Sequence, residues 1–586
     1  MKDEIKKFWR GDIDDADETL TKYSHDASLF EIRPEIVLYP KDAKDIENLV
    51  LWAKEKKEEN KQGHENLSIT VRSAGTCMSG GAINDSIILD VTKYFNKIGR
   101  VVRVTPYKIL PKFPGAKEVE IAGEVTVQPG VFYRDFEKET FMYDLLLPSY
   151  TASKSINTVG GMAGNNSAGE LTLKYGQTCD YIKEMKVIFA DGHEYTVKAL
   201  NRKELYKKIA QPDFEGQVYK KLFDLINENE TIIKTAKPRV SKNSSGYFLW
   251  NVITRGKTES EDIFDLCQLI VGSQGTLGIV TEITYRLVEN ITHSKLVTVF
   301  LKDLTNLGKV VDEILEFSPT SVESYDDKTF DLAMKFFPDL VKAKGFWQTI
   351  KFGISFLPEM WMVLTGGVPK LILLVELTGS DDKTLVKKCK ELEQKIAHFG
   401  FVTRTIEKQK EAEKYWTMRR DSFALLRKHV EGRRTAPFID DIIVRPEFLP
   451  EFLPKLTKIL NEYSSLIYTI AGHAGNGNFH IIPLMDFNDK ESAHIVLELS
   501  QKVYDLVISY DGSITGEHND GLIRTPFLTK LYGEQIVELF KKTKDMFDPL
   551  NIFNPKKKVG AVFSDIEKYI IKPQNVHELP KISHNS

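Results

Sequence analysis

Three glycine clusters in the first half of this 586-residue chain constrain its fold more than any other feature. Ser68 to Arg72 reads as a strand that runs straight into Ala74-Gly75-Thr76-Cys77-Met78-Ser79-Gly80-Gly81, and Ser86 to Val91 reads as the next strand. A glycine-rich loop between adjacent strands offers bare N–H groups to an anion, and glycine permits the positive φ that such a nest requires. No GxGxxG joins a strand to a helix here, so this is not the dinucleotide fingerprint. The other clusters are TVGGMAGNNSAG (Thr158 to Gly169) and LIVGSQGTLGIV (Leu269 to Val280). Three such loops suit a long, flat ligand laid against backbone, with pyrophosphate on one loop and an aromatic ring system on the others.

The length predicts two or three domains. A net charge of −3 gives no global attraction for nucleic acid. Cys77, Cys179, Cys267 and Cys389 lie far apart with no CxxC pair, which argues against an iron–sulfur cluster on this chain and suits a reducing cytosol. The charged stretch Met1 to Asp15 does not read as a signal peptide, and the expected location is cytoplasmic. Phe346 to Leu374 is aromatic-rich but broken by Lys351, Pro358, Gly366-Gly367 and Pro369, short of the roughly 18–20 apolar residues a membrane span needs. It reads either as buried helices ahead of a strand at Leu371 to Leu377, or as a surface touching a partner or the inner face of a membrane.

The second half carries its own pattern. His473 and His480 bracket GHAGNGNFH, and Glu517-His518 follow in GSITGEHNDG. Apolar stretches from Ser465 to Ile470 and from Phe479 to Pro483 flank a dense turn signal, so a strand–turn–strand places both imidazoles at the mouth of one hairpin. Two imidazoles and a carboxylate suit Zn²⁺, Mn²⁺ or Fe²⁺ with coordination positions left open, and an open site with a spare histidine points to catalysis. A plain hydrogen-bonded His-Gly loop is the alternative.

Together these motifs resemble the PCMH-type flavin-binding fold of the vanillyl-alcohol-oxidase kind. More closely they resemble the FAD-linked 2-hydroxyacid dehydrogenases: D-lactate dehydrogenase, the glycolate oxidase flavin subunit and D-2-hydroxyglutarate dehydrogenase. The matching pieces run in order along nearly the whole chain: YSHDAS (Tyr23 to Ser28), RSAGTCMSGGA (Arg72 to Ala82), GGMAGNNSAG, KNSSGY (Lys242 to Tyr247), GSQGTLGIVTE, WTMRR (Trp416 to Arg420), GHAGNGNFH, GEHNDG and DPLNIFNPKK (Asp548 to Lys557). The resemblance assigns FAD to Arg72, Ala74, Gly75, Thr76, Cys77, Met78, Ser79, Gly80 and Gly81, to Pro148, to Thr158, Gly160, Gly161, Gly164, Asn165, Ser167 and Ala168, to Gly272, Gly275, Thr276, Gly278 and Ile279, and to Asn554. Cys77 reads as a small filler rather than a covalent flavin anchor. The resemblance also implies a divalent metal on His473, His480 and Glu517 that binds the substrate's α-hydroxyl and one carboxylate oxygen. His518 is then the general base, and hydride passes from C2 to flavin N5. Arg419, rather than its neighbour Arg420, pairs with the substrate carboxylate; the two point about 100° apart on a helix, so only one faces the site.

The sequence departs from the family pattern at several points. Gln274 stands for the usual glutamate of GSEGTLG, Asn476 for the aspartate of HxGDGNxH, Asn519 for a glycine, and Asn554-Pro555-Lys556-Lys557 for NPGK. The lysine that serves a distal carboxylate in the D-2-hydroxyglutarate branch falls near Ile439, which argues against a dicarboxylate.

The expected architecture is α+β: an FAD domain over 1–290, a cap over 291–545 with an antiparallel sheet and helices on one side, and a segment over 546–586 that returns to the FAD domain, its charged tail after Val559 draped on the surface. The expected function is oxidation of a D-2-hydroxyacid with electrons passed to an iron–sulfur, quinone or cytochrome acceptor. The alternatives are a flavin subunit of a glycolate-oxidase-like complex and a non-redox enzyme like alkylglycerone-phosphate synthase.

Overall fold

The computed structural model describes residues 1–59, 66–329, 367–429 and 432–572, the side chains of 420–429 excepted. The first sheet contains β1 (Asp12–Asp14), β2 (Ile36–Tyr39), β3 (Ile69–Arg72) and β4 (Ile87–Asp90) in the order β1-β2-β4-β3. β2 and β3 run parallel to β4. Parallel neighbours need a crossover, and α1 (Ala43–Glu58) supplies one. Asp42 starts it by accepting hydrogen bonds from the N–H groups of Lys44 and Asp45, and Ile46, Leu49, Val50 and Ala53 are buried against the sheet. β3 delivers the chain into the first glycine loop.

The second sheet holds β5 (Val102–Ile109), β6 (Val119–Val127), β7 (Leu145–Leu146), β8 (Ile182–Ile188), β9 (Glu194–Asn201), β10 (Ile253–Thr254), β11 (Ile263–Asp265) and β12 (Ile279–Glu289). Its order is β10-β11-β9-β8-β12-β6-β5, with β7 against the end of β12. The second glycine cluster forms a short helix, α2 (Val159–Asn165), and the third runs into β12.

The rest of the chain builds β13 (His293–Leu301), β14 (Ser321–Asp326), β15 (Leu371–Gly379), β16 (Val402–Ile406), β17 (Arg434–Thr435), β18 (Ile442–Ile443), β19 (Ile470–His473), β20 (Asn478–Ile481) and β21 (Leu484–Met485). Seven form one antiparallel sheet, β16-β13-β15-β14-β19-β20-β18, and β17 pairs with β21. Along β13, Val297, Val299 and Leu301 enter one core while Leu296 and Phe300 enter another. α3 (Leu307–Glu316) and α4 (Asp382–Ile396) cover the first face, whereas α5 (Gln409–His429) covers the second through Ala412, Tyr415 and Met418. α6 (Leu449–Asn461) and α7 (Ser492–Ser509) return to the first. Helices therefore lie on both sides of this sheet, contrary to the expectation of one side, because both faces of its central strands are apolar. The hairpin at the histidines forms, but its first strand begins at Ile470, not Ser465.

The chain crosses back before residue 546. α8 (Glu534–Phe547) already buries Ile536, Leu539 and Phe540 in the core of the second sheet. Ile552 and Phe553 then join the first-sheet core. The described part of the tail does not drape on the surface: α9 (Phe563–Tyr569) buries Ile566 in the cap core, and Ile570 pairs with Phe30. Of the aromatic segment Phe346 to Leu374, residues 346–366 lie outside the described residues, and Leu371 to Leu374 are buried in β15. Among the described residues, no helix is long and apolar enough to cross a membrane.

Candidate active site

The three glycine loops and the histidine hairpin line one cleft of about 2130 Å³. Its first wall is the loop after β3, where Arg72, Ala74, Gly75, Thr76, Cys77, Met78 and Gly81 face the cleft. Gly75 has φ +67°, a left-handed conformation that disfavours any side chain, and a Cβ there would come 2.3 Å from the Arg72 guanidinium. The second wall is α2 with its flanks: Thr158, Gly160, Gly161, Gly164, Asn165 and Ser167. Thr158 caps this helix by accepting from the Gly161 N–H at 3.2 Å. A Cβ on Gly164 would meet nothing within 4 Å, so the bare backbone faces open cleft that a ligand can fill. Gly275 and Gly278 extend the bed from the third loop. That loop is joined to the second by N–H bonds from Gly272 to the Ala163 carbonyl (2.8 Å) and from Gln274 to the Gly164 carbonyl (3.0 Å). This backbone-lined bed fits a flavin nucleotide.

Ser79, Gly80, Pro148, Ala168, Gly272, Thr276, Ile279 and Asn554 do not line the cleft, and some of them brace its walls. Asn554 donates to the carbonyls of Gly81 (2.9 Å) and Gln274 (2.7 Å), tying the first loop to the third. Gly80 packs on Phe30. The Thr276 hydroxyl bonds the Ser273 carbonyl and Tyr247. Three buried lysines grip carbonyls from the same side: Lys544 on Thr276, Lys557 on Ile83, and Lys558 on Ser244 and Gly246. Cys77 is a buried thiol with Ser79 Oγ at 3.2 Å, raised by burial, consistent with a filler.

The opposite wall carries charge. His473, His480 and Glu517 converge so that one ligating atom from each lies within 4.8 Å of the others. In the hairpin register His480 stands opposite Ala471, so His480 and His473, two residues along β19 from Ala471, share a face. His480 Nδ1 lies 2.9 Å from the Asp440 carbonyl, which leaves Nε2 for a ligand. His473 Nε2 lies 2.9 Å from Glu517 Oε1, and its Nδ1 lies 2.6 Å from Glu323 Oε1. Imidazole nitrogens and a carboxylate aimed at one point fit a Zn, Mn or Fe dication. Lys242 of the KNSSGY motif, fully buried, donates to Glu517 Oε1 at 2.7 Å and so joins the two halves of the chain at the site. Removing one partner of such a pair costs about 3–5 kcal/mol.

His518 lies beside this triad, its ring stacked on His480 with centroids 5.2 Å apart. Asp440 Oδ2 holds its Nδ1 at 2.6 Å, and Arg524 pairs with the other oxygen of Asp440. Asp441 accepts from the N–H groups of Glu517 (2.7 Å) and His518 (2.8 Å), which fixes the backbone that presents both side chains. Burial opposes charge on His518, but Asp440 and Asp441 outweigh it and lift His518 to about 9. Burial, reinforced by the neighbouring imidazoles and opposed by Glu517, brings His480 down to about 4. Glu323 is held at about 2: burial opposes its charge, while His473 and Arg419 favour it more.

α5 brings Arg419 onto the same face, where it pairs with Glu323 at 3.0 Å and lines the cleft. Its Nε is buried without a hydrogen-bond partner among the described residues. The Arg420 side chain lies outside the described residues. All five expected catalytic and metal-binding side chains thus meet in one place.

The residues missed are Glu323, Asp440, Asp441 and Lys242. The acid pair inside the apolar run FIDDIIV was the available signal for Asp440 and Asp441, since buried acids need partners. Glu323 carried none beyond its place in the short strand SVESYD. Ile439, where the family's lysine was expected, is buried in the cap core away from the cleft. Gln274 accepts the Gly521 N–H at 2.9 Å, and Asn519 donates to the Asn165 (3.2 Å) and Gly272 (2.9 Å) carbonyls. These two departures therefore stitch the catalytic loop to the glycine loops.

Comparison with known proteins yields two family matches: an FAD binding domain over residues 34–198 and the C-terminal domain of FAD linked oxidases over 291–558. The D-2-hydroxyglutarate dehydrogenase of Escherichia coli is 24% identical over 91% of this chain, but the chain spans only 49% of that protein's length. Glycolate oxidase subunit GlcD of Bacillus subtilis is 24% identical, with 93% of each chain covered. D-lactate dehydrogenase of Archaeoglobus fulgidus is 23% identical over 89% of this chain and 91% of its own. Among solved structures, p-cresol methylhydroxylase superposes with a TM-score of 0.62 at 14% identity over 94% of both chains, which establishes the PCMH-type fold.

Proposed function

Because the chain belongs to the FAD-linked oxidases that join an FAD binding domain to this C-terminal domain, we propose that it oxidises a D-2-hydroxyacid to the 2-oxoacid and passes the electrons to a separate iron–sulfur, quinone or cytochrome acceptor. One observation carries the reading: a glycine-walled bed, three side chains able to hold a metal, an arginine and a histidine held by a carboxylate all face one cleft.

When bound, FAD supplies the hydride acceptor and a divalent cation supplies the charge that acidifies the hydroxyl. The chain does the rest. Arg419 receives the substrate carboxylate through the part of its guanidinium that lines the cleft, and its charge fixes which end of the acid enters. His518 takes the hydroxyl proton at Nε2 from its neutral form, a strong base given the lift to about 9 and one that gains population as pH rises toward that value; Asp440 occupies Nδ1 and holds the ring in one orientation. Asp440 also stabilises the imidazolium that results. Gly161, Gly164 and Gly275 keep the bed free of side chains, so a flat ring can lie against backbone N–H groups.

Arg433 and Arg434 line the same cleft. They favour a second reading of substrate size, in which an acid with a second carboxylate is accepted despite Ile439. The likeness to alkyldihydroxyacetonephosphate synthase, at 14% identity and a TM-score of 0.62, concerns the fold alone.

The test is anaerobic bleaching of the flavin spectrum by D- and L-2-hydroxyacids, mono- and dicarboxylic, with and without EDTA. Bleaching by one D-acid, abolished by EDTA, supports the reading. A yellow protein that no hydroxyacid bleaches sinks it, and EDTA-insensitive bleaching sinks the metal.

A further inference from the structure

Glu323 is 2% exposed, on a strand in the middle of the cap sheet, and both of its oxygens are engaged. The register Ser324↔Gly472 places it directly opposite His473, so the two side chains emerge on one face. Oε1 lies 2.6 Å from His473 Nδ1. Oε2 lies 3.0 Å from the Arg419 guanidinium, which arrives from a helix packed on that face. One carboxylate thus touches both the imidazole expected to bind metal and the arginine expected to bind substrate.

We propose that Glu323 is a positioning residue that serves both at once, an inference resting on the function proposed above. Through Oε1 it accepts the Nδ1 proton of His473, which commits the other ring nitrogen to the cleft and makes it a stronger donor to a cation. Through Oε2 it holds Arg419 at one point on the wall. The α-hydroxyl and the carboxylate of one small acid must be gripped a fixed distance apart. A single rigid carboxylate between the two grips sets that distance. Were Glu323 only a counter-ion for Arg419, its second oxygen would have no reason to face His473.

The experiment uses the full-length, FAD-loaded protein and Mn²⁺ as the probe, followed by its free-ion spin signal, alongside steady-state kinetics with the best hydroxyacid. Glu323→Gln is expected to weaken Mn²⁺ binding by about 10–100-fold and to raise KM for the acid, with the flavin spectrum retained. Arg419→Gln is the control, expected to raise KM while Mn²⁺ affinity stays within about twofold. Should Glu323→Gln not fold, Glu323→Asp keeps the charge but shortens the reach and is expected to fall between Gln and wild type on both readouts. Mn²⁺ affinity unchanged in these variants, with wild type binding Mn²⁺, overturns the dual role and leaves the proposed function intact. Wild type that binds neither Mn²⁺ nor Zn²⁺ removes the metal reading and this inference with it.

Discussion

The glycine-lined side of the cleft presents stretches of bare backbone at Gly75, Gly164 and Gly275, and Asn554 and the buried lysines hold that backbone through its carbonyls. The opposite side presents charge: His473, His480, Glu517, His518 and Arg419, each held by a partner such as Glu323, Asp440 or Lys242. A surface made of backbone fails when a side chain is added, whereas a surface made of charges fails when one is removed. The first tolerates chemical substitution behind it as long as shape survives. The second tolerates little, because every buried charge there is another's counter-ion.

The largest effect is expected on the charged side. His518→Ala should leave the flavin bound and slow its reduction by hydroxyacid by about 10²–10⁴-fold, the usual worth of a general base. Loss of flavin from this variant would show that the two sides are not separable. On the backbone side, Gly164→Val should fold, since nothing lies within 4 Å of the new Cβ. It should nonetheless purify with most of its visible absorbance gone, because the side chain occupies the bed. Gly160→Val is the contrast: its Cβ would sit 2.3 Å from the Cβ of Pro129, so it should lose stability as well as flavin. Equal melting temperatures for the two variants would break the distinction between a cleft glycine whose Cβ would enter open space and one whose Cβ would strike Pro129.

The two sides were also unequally legible. Backbone beds are written in local sequence, since a loop that must expose N–H groups needs glycine where it stands; the three clusters and the His473–His480 hairpin could be read directly. The charged side is assembled across long separations: Lys242 with Glu517, Glu323 with His473, Asp440 with His518. No spacing rule links residues 275, 150 and 78 positions apart. The expectation of helices on one side of the cap sheet fails at α5 for a related reason: β13 buries both faces, and a continuous apolar run does not say which side a helix will cover. The return of the tail into the cap core depends on Ile566 and Ile570 in the stretch VFSDIEKYII, whose apolar residues do not say which core they enter.

A smaller effect tests the bracing of the backbone side. Lys557 is lowered to about 8, chiefly by burial. Its folded value lies below the unfolded one near 10.5, so the unfolded chain holds the proton more tightly between pH 8 and 10.5, and stability rises with pH across that window. At about 1.36 kcal/mol per unit the gain is at most about 3 kcal/mol. Lys557→Met removes this dependence. The difference in unfolding midpoint between wild type and variant should therefore shift in favour of wild type as pH rises from 7.5 to 10. A flat difference would mean that Lys557 is not buried as a cation behind the first glycine loop.

The smallest effect sharpens the charged side. Arg419→Lys keeps the charge but gives up the planar fork of donors. A hydrogen bond to a charged group is worth about 1.5–3 kcal/mol, and a lysine should recover part of it, so KM for the hydroxyacid should rise about tenfold while kcat changes by less than about threefold. That split follows because Arg419 grips the carboxylate, which carries the same charge in substrate and product and does not react. If kcat falls as far as KM rises, the arginine also orients the reacting carbon, and gripping by Arg419 is not separable from proton transfer by His518.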